Sequence, residues 1–189
     1  LTVAVVTTPF EFEGNVRMRQ AKEGLKKLHE QVDSLIVIPN EQLFKNIDTK
    51  LTVKESFRKA DEVLCQGVEG ISNIITKPGD VNTDFADVYA TLKNGKVAIM
   101  NVGQAGGETR VTDAINNALQ SPLVNTNDVH GAKRVLLQFY CSTEHVIQMQ
   151  EIDQINAFLK KVGDDVEVQW GASLDDTLGD AVRVTIIAT

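Results

Sequence analysis

The sequence has few of the residues that build disulfide frameworks or zinc sites. Its two cysteines, Cys65 and Cys141, stand far apart and form no CxxC motif. This spacing excludes a disulfide scaffold and favours a reducing compartment. The three histidines are scattered and form no zinc-binding pattern with the cysteines. Each histidine is therefore expected to be an ordinary surface or core residue.

Long apolar runs and an excess of positive charge are also missing. No apolar stretch is long enough to cross a bilayer, and residues 1–6 are too short and lack the basic flank of a signal peptide. The formal net charge is −7, whereas a nucleic-acid-binding surface needs a basic face. We therefore expect a cytoplasmic protein with no nucleic-acid partner and no direct membrane insertion.

The first part of the chain has the pattern of a parallel α/β unit. Residues 2–7 and 34–38 are β-rich apolar runs typical of buried strands. Between them, apolar residues that recur every three or four positions predict a helix over residues 16–32. A strand–helix–strand order predicts two parallel strands joined by a right-handed crossover.

A long amphipathic helix is predicted next, over residues 53–76. At 1.5 Å per residue it would be about 36 Å long. Gly67 and Gly70 lie inside it, where glycine costs helicity but permits the close approach of another element. We therefore expect this helix to be packed on more than one side.

Shorter elements alternate in the second half of the chain. We predict helices over residues 84–92, 108–120 and 146–162, and strands over residues 96–102, 134–141, 166–170 and 182–188. The last two strands suggest an antiparallel pair. The predicted fold class is α/β: the tail of a parallel Rossmann-like sheet unit, a long central helix, and a compact α+β domain with a mixed four-stranded sheet and at least two helices.

The junction between the long helix and the second half gathers an amide and two carboxylates. Asp84 and Asp87 are three residues apart and share one helix face, and Asn82 lies just upstream. Thr83 or Asp84 would cap the following helix. Two interpretations stay open: caps and dipole partners of a first helical turn, or groups that orient water or bind a metal.

Several short strings together resemble the FtsZ family, the bacterial cell-division GTPases related to tubulin. In family order they are VVTTPF at 5–10, FEG at 12–14 with Arg17-Met18, IVIPN at 36–40, QGVEGI at 66–71, NTDFADV at 82–88, SPL at 121–123 and VTIIAT at 184–189. The resemblance implies three segments. Residues 1–50 would be the C-terminal part of an incomplete GTP-binding domain, 51–79 the central helix and linker, and 80–189 the C-terminal activation and polymerisation domain.

The resemblance also implies a role for the acidic junction. In the family, the Asn-x-Asp-x-x-Asp loop of one subunit reaches the γ-phosphate of GTP bound to the adjacent subunit. By this resemblance Asp84 and Asp87 would polarise the attacking water, and Asn82 would help to order it. Phosphoryl transfer depends on positioning and charge, so carboxylates that orient water suffice. Mg²⁺ or another cation is expected to moderate the repulsion between these carboxylates and phosphate.

Further positions match family residues that face the nucleotide. Glu13 and Arg17 would contact the ribose and a phosphate edge. Asn40 is a looser match, either near the sugar or as a turn cap. Phe57 would stack on guanine, and Asp61 would accept hydrogen bonds from its N1–H and N2–H₂ groups. Plainer interpretations remain: a surface ion pair for Glu13 and Arg17, a core position for Phe57, and an exposed helical acid for Asp61. No metal ligands are assigned.

The predicted function is therefore that of the C-terminal part of a GTPase that binds GTP/GDP and Mg²⁺ and assembles head to tail into filaments at the division site. The family's glycine-rich phosphate loop is not among these residues, so the chain alone is predicted to be inactive. Other division proteins would bind through a tail absent from this sequence. One alternative is a non-catalytic module that caps or binds intact filament subunits. A weaker one is a small metal-dependent hydrolase, for which no further ligands lie near the acidic loop.

Overall fold

One mixed sheet with helices on both faces organises the described part of the chain. The computed structural model describes residues 1–44, 52–77, 79–81, 83, 85–120, 132–162 and 165–189. The strands are β1 (Val3–Thr8), β2 (Ser34–Pro39), β3 (Gly79–Val81), β4 (Lys96–Ala105), β5 (Arg134–Cys141), β6 (Glu167–Leu174) and β7 (Val182–Ala188). The helices are α1 (Asn15–His29), α2 (Asn40–Phe44), α3 (Val53–Thr76), α4 (Phe85–Leu92), α5 (Arg110–Leu119) and α6 (Met149–Val162). The strand order is β1-β2-β4-β7-β5-β6-β3.

The predicted parallel unit and long helix are both confirmed. Strands β1 and β2 pair in parallel, from Val3 opposite Ser34 onwards, with α1 as the crossover. Helix α3 has the predicted bounds because Thr52 and Glu55 form a capping box. The Thr52 hydroxyl accepts the Glu55 N–H at 3.3 Å, and the Glu55 carboxylate accepts the Thr52 N–H at 2.7 Å.

The buried apolar residues form two cores. These cores lie on opposite faces of the sheet because alternate residues of the central strands point to opposite sides. On β5, Leu137 and Phe139 belong to the core under α5 and α6, whereas Leu136 belongs to the core under α3 and α4.

The two glycines of α3 allow this helix to pack closely against the sheet. A Cβ on Gly67 would lie 3.3 Å from a Val5 methyl group, and one on Gly70 would overlap the Met100 methyl group. Helix α3 is thus packed against both β1 and β4, and because residues three apart share a helix face, these two contacts lie on one side of the helix.

The predicted pairing of the last two strands is wrong, because β5 lies between them. It pairs in parallel with β6 and antiparallel with β7. Residues 135–141 of β5 are all buried, so this strand takes a central position, and α6 supplies the crossover that a parallel neighbour needs. The short strand β3, which was not predicted, adds a fifth strand by pairing with β6. Strand β4 pairs with both β2 and β7 and so joins the two parts of the sheet.

Several element ends also differ from the prediction. Strand β4 continues to Ala105, where a loop was expected, because β7 supplies partners for its last residues. Strand β6 extends to Leu174, and α6 begins at Met149. Most of residues 121–133, which separate the predicted helix over 108–120 from the predicted strand over 134–141, lie outside the described residues. None of the helices in the described ranges combines the length and apolarity that crossing a bilayer requires.

Candidate functional site

An aromatic cluster lies where β1 ends and α3 begins. Phe10 is buried and stacks on Phe12, with ring centroids 5.0 Å apart and planes at 12°. The ring of Phe57 meets both edge-on, at centroid distances of 5.2 Å and 6.0 Å. Phe57 is nevertheless 39% exposed. Edge contacts fix the orientation of its ring while part of the ring surface stays open to a ligand.

Glu13 and Arg17 lie directly beside this aromatic cluster. The Glu13 carboxylate accepts the Phe10 backbone N–H at 3.0 Å and an Arg17 guanidinium N–H at 2.9 Å. The Glu13 side chain is only 13% exposed, whereas that of Arg17 is 67% exposed. The structure therefore contains the ion pair of the plainer interpretation. The guanidinium of Arg17 is also an exposed cation that Glu13 links to the aromatic cluster.

The remaining nucleotide candidates lie at the same edge of the sheet. Asp61 is exposed on α3, one helical turn after Phe57. Asn40 follows β2 directly and is buried, and within the described residues its Oδ1 atom has no hydrogen-bond partner. An unsatisfied buried acceptor calls for a partner. Ligands of open α/β sheets bind at the carboxyl ends of parallel strands, where these residues lie.

The acidic junction lies at the other end of α3, and the structure describes only part of it. Asn82 and Asp84 lie outside the described residues. Asp87 lies in the first turn of α4 and is partly buried. Thr83 is buried, and its hydroxyl has no hydrogen-bond partner in the described part of the chain. Thr83 therefore does not act as the predicted side-chain cap of α4.

Strand β6 contacts two described residues that precede Asp84, namely Lys77 and Thr83. The Ser173 hydroxyl donates to the Lys77 carbonyl at 3.4 Å and accepts from the buried Gln138 amide at 2.9 Å. Two residues earlier on β6, a Cβ on Gly171 would overlap the Thr83 hydroxyl. Alternate residues of one strand face therefore contact Lys77, before the acidic junction, and Thr83, directly before Asp84.

Asp175 extends this row of contacts and ties it to β7. Its carboxylate accepts from Lys77 Nζ at 3.4 Å, from the Thr177 hydroxyl at 2.6 Å and from the Arg183 guanidinium. Lys77 and Arg183 also lie over the Tyr140 ring, at 5.9 Å and 5.3 Å from its centroid. Burial alone would raise the pKa of Asp175, but the Thr177 hydrogen bonds and the two cations outweigh it and lower the pKa to about 2. Burial raises the pKa of Tyr140 to about 12, so its hydroxyl stays protonated near neutral pH.

The low pKa of Asp175 predicts a loss of stability in acid. A carboxyl group whose folded pKa is about 2, below its ordinary value of 3.8, stabilises the fold above pH 4. This contribution, about 2 kcal/mol, is lost as the pH falls from 4 to 2. We expect Asp175→Asn to remove this part of the pH dependence in urea unfolding between pH 7 and pH 2. Asp153→Asn on the exposed face of α6 is the control. Identical pH profiles for Asp175→Asn and the parent protein would contradict the prediction.

The aromatic cluster and the acidic junction are separated by the length of α3. Phe57 packs beside Phe10, which follows the end of β1. Helix α4, which carries Asp87, ends beside the start of β2, where the Ser34 hydroxyl donates to the Leu92 carbonyl at 2.6 Å. The two groups thus lie toward opposite ends of the parallel strands. In the described ranges no group of three or more His, Cys, Asp or Glu side chains could hold a metal ion.

Sequence reasoning missed the residues that support the acidic junction. Lys77 and Asp175 are 98 positions apart, and Ser173 lies in a strand whose end was placed too early. Neither spacing nor periodicity relates such distant positions. Phe10 was noted only as part of a motif, although its place after a proline at a strand end was a usable signal.

Comparisons with known proteins agree with this arrangement. Residues 96–189 match the FtsZ family, C-terminal domain, and residues 1–48 match the Tubulin/FtsZ family, GTPase domain. The chain is 42% identical over its whole length to a cell division protein FtsZ of Porphyromonas gingivalis, of which it covers 41%. It is 41% identical to cell division protein FtsZ 1 of Thermococcus kodakarensis, of which it covers 50%.

Solved structures give the same result. An empty FtsZ dimer from M. jannaschii matches with a TM-score of 0.89 and 39% identity, over 100% of this chain and 54% of that one. CetZ1 from Haloferax volcanii, in a GDP-bound monomer, matches with a TM-score of 0.77 at 21% identity, over 98% of this chain and 54% of that one, which shows a shared fold. The chain spans about half the length of the curated relatives that it matches. The motifs, the fold and the full-length similarity together establish that this chain belongs to the FtsZ family.

Proposed function

We propose that this chain is the C-terminal part of a tubulin-like GTPase that assembles head to tail into filaments at the cell-division site. Its Asn-x-Asp-x-x-Asp loop activates GTP hydrolysis on the adjacent subunit. Asp84 and Asp87 polarise the attacking water there, and Asn82 helps to order it. GTP, GDP and Mg²⁺ are the ligands of the assembled protein.

The observation that carries this proposal is that α3 separates the aromatic cluster from the acidic junction. Its 24 residues extend for about 36 Å. A guanine held beside Phe57 and Asp61 would place its phosphates near the carboxyl ends of β1 and β2, whereas α4 extends towards the start of β2. The acidic loop therefore has no short route to a nucleotide on its own subunit. Head-to-tail stacking brings it to the nucleotide of the adjacent subunit, which makes hydrolysis conditional on assembly.

The residues at the carboxyl edge of the sheet suit a guanine nucleotide. The Phe57 ring is held in place and partly open, so a base has a surface on which to stack. Asp61 shares this face of α3, and a carboxylate there accepts two guanine N–H groups that adenine does not offer. Glu13 and Arg17 supply an acceptor and a cation near the sugar and phosphates. Mg²⁺ binds largely through phosphate oxygens and water, so it does not require a cluster of protein ligands.

Replacement of Asp61 by asparagine tests the nucleotide half of the proposal. In a full-length FtsZ-family protein that carries this segment, Asp61→Asn is expected to weaken GTP binding by about 10- to 100-fold, because charge-assisted hydrogen bonds are lost. Discrimination against ATP should fall as well. The measurement is competition of GTP and ATP against a fluorescent GTP analogue.

Glu69→Gln serves as the control, because Glu69 is an exposed acid on the same helix, two turns further on. It should leave both affinities unchanged. Parental GTP affinity and selectivity in Asp61→Asn would show that Asp61 does not face the base.

A further inference from the structure

We propose that Lys77 and Asp175 form a clamp that positions the acidic loop for hydrolysis on the adjacent subunit. The inference rests on the proposed function of that loop. Both are positioning residues: they act through the loop and touch neither nucleotide nor water. The clamp fixes the start of the loop against β6 and β7 of the same subunit.

The first support is the set of contacts that Lys77 makes directly after the end of α3, five positions before Asn82. Its carbonyl accepts from Ser173, its ammonium group pairs with Asp175 at 3.4 Å, and its charge lies over the Tyr140 ring. These partners come from β5, β6 and the turn that follows β6. Lys77 is thus held through its backbone carbonyl, its ammonium group and the ring beside it. It has little freedom to move, so the chain leaves α3 in one direction.

The second support is that Thr83, the residue directly before Asp84, contacts the same strand. Thr83 is buried above Gly171, where even a methyl group would collide with its hydroxyl. Gly171, Ser173 and Asp175 are alternate residues and face one side. Lys77 and Thr83, both of which precede Asp84 and Asp87 in the chain, are thus held at two points of a single strand face. Displacement of catalytic groups by about 1 Å costs up to about 100-fold in rate, so a support of this kind has kinetic consequences.

The third support is that Asp175 is itself rigidly held. Its side chain is 9% exposed, and Thr177 and Arg183 bind the same carboxylate as Lys77. The side chain of Lys77 is 36% exposed, so its replacement disturbs the fold less than the loss of Asp175. Lys77 is therefore the better position for a test of function.

The chain offers a closely matched control in Lys93. Lys93 pairs with Asp33 at 3.0 Å and lies 5.5 Å from the centre of the Tyr89 ring. Its side chain is 38% exposed, close to the value for Lys77. Lys93 lies just after α4, away from the start of the acidic loop. Its replacement therefore removes the same kinds of interaction as replacement of Lys77, but at a different place in the fold.

The experiment measures four variants in a full-length FtsZ-family protein that carries this segment: Lys77→Met, Lys77→Arg, Asp175→Asn and Lys93→Met. Lys77→Met and Asp175→Asn are expected to lower GTP turnover per polymerised subunit by about 10- to 100-fold. GTP affinity and the polymer mass formed with a slowly hydrolysed GTP analogue should stay at parental values. Lys77→Arg should restore turnover to within a few-fold of the parent, and Lys93→Met should match the parent.

Parental turnover in Lys77→Met, or an equal loss in Lys93→Met, would overturn the clamp. The clamp would also be overturned if Lys77→Met formed less polymer with the GTP analogue and this loss of polymer explained the whole loss of turnover. If Asp175→Asn fails to fold, Lys77→Met and its rescue by arginine decide the question. Asp84→Asn in the same assay separates the two proposals. If it lowers turnover and Lys77→Met does not, only the clamp is wrong, whereas parental turnover in Asp84→Asn contradicts the proposed function itself.

Discussion

Asp84→Asn and Asp87→Asn are each expected to lower GTP turnover in assembled filaments by about 100-fold or more. A carboxylate that orients and polarises water contributes at least this factor to hydrolysis, and an amide of the same shape lacks the charge. GTP binding should be unchanged, because the proposed guanine-binding residues lie at the other end of α3. The measurement is phosphate release per polymerised subunit, with nucleotide affinity determined separately.

Asp153→Asn is the control for this experiment. It makes the same chemical change at an exposed carboxylate on α6, away from the acidic loop, and should retain parental turnover. Parental turnover in both Asp84→Asn and Asp87→Asn would make the two carboxylates structural, as in the interpretation of this motif as helix-cap and dipole partners.

Gly103→Ala is expected to have the largest effect on stability, a loss of about 3 kcal/mol. Gly103 lies in β4 where α5 crosses it, and a Cβ there would overlap the carbonyl oxygen of Ala114 and the backbone nitrogen of Ala118. Both are backbone atoms of α5, so the strain is relieved only if the whole helix moves away from its core. Urea unfolding at neutral pH measures the change.

Gly24→Ala is the matched control for the same substitution. Nothing lies within 4 Å of a Cβ at Gly24 in α1. Alanine there should raise the free energy of unfolding by about 0.5–1 kcal/mol, because glycine costs helical stability. Equal effects of the two substitutions would mean that α5 does not approach β4 as closely as the structure shows.

Elements with strong local signals were predicted well from the sequence. Helix α3 has its predicted ends because the Thr52–Glu55 capping box and a continuous apolar stripe are local features. Strands β5 and β7 also have their predicted bounds. Their apolar runs are long and end at charged residues or turns. In each case the information lies within a few neighbouring residues.

Features that depend on contacts between distant residues were not predictable. The position of β5 between β6 and β7 follows from its burial on both faces, which a single apolar run does not distinguish from burial on one face. The three-residue strand β3 has no periodic signal and exists because β6 offers an edge to pair with. The pairing of Lys77 with Asp175 joins residues 98 positions apart.

The candidate site shows the same division between local and distant information. Periodicity favoured a core position for Phe57, yet the residue is 39% exposed beside Phe10 and Phe12. Its proposed role came from family resemblance, since exposure on a helix cannot be deduced from an apolar stripe that also contains buried residues. The roles of Asp61 and of the acidic loop likewise remain proposals that await the experiments above.

A mixing experiment tests most directly whether the acidic loop acts on the neighbouring subunit. Subunits with Asp84→Asn bind GTP but present an inactive loop, and subunits with Asp61→Asn present an intact loop but bind GTP poorly. At a GTP concentration that fills only the first kind, each variant alone should be nearly inactive. An equal mixture should recover turnover at about one interface in four, as expected for random head-to-tail assembly. A mixture that copolymerises but stays as inactive as its components would contradict hydrolysis activated across the subunit interface.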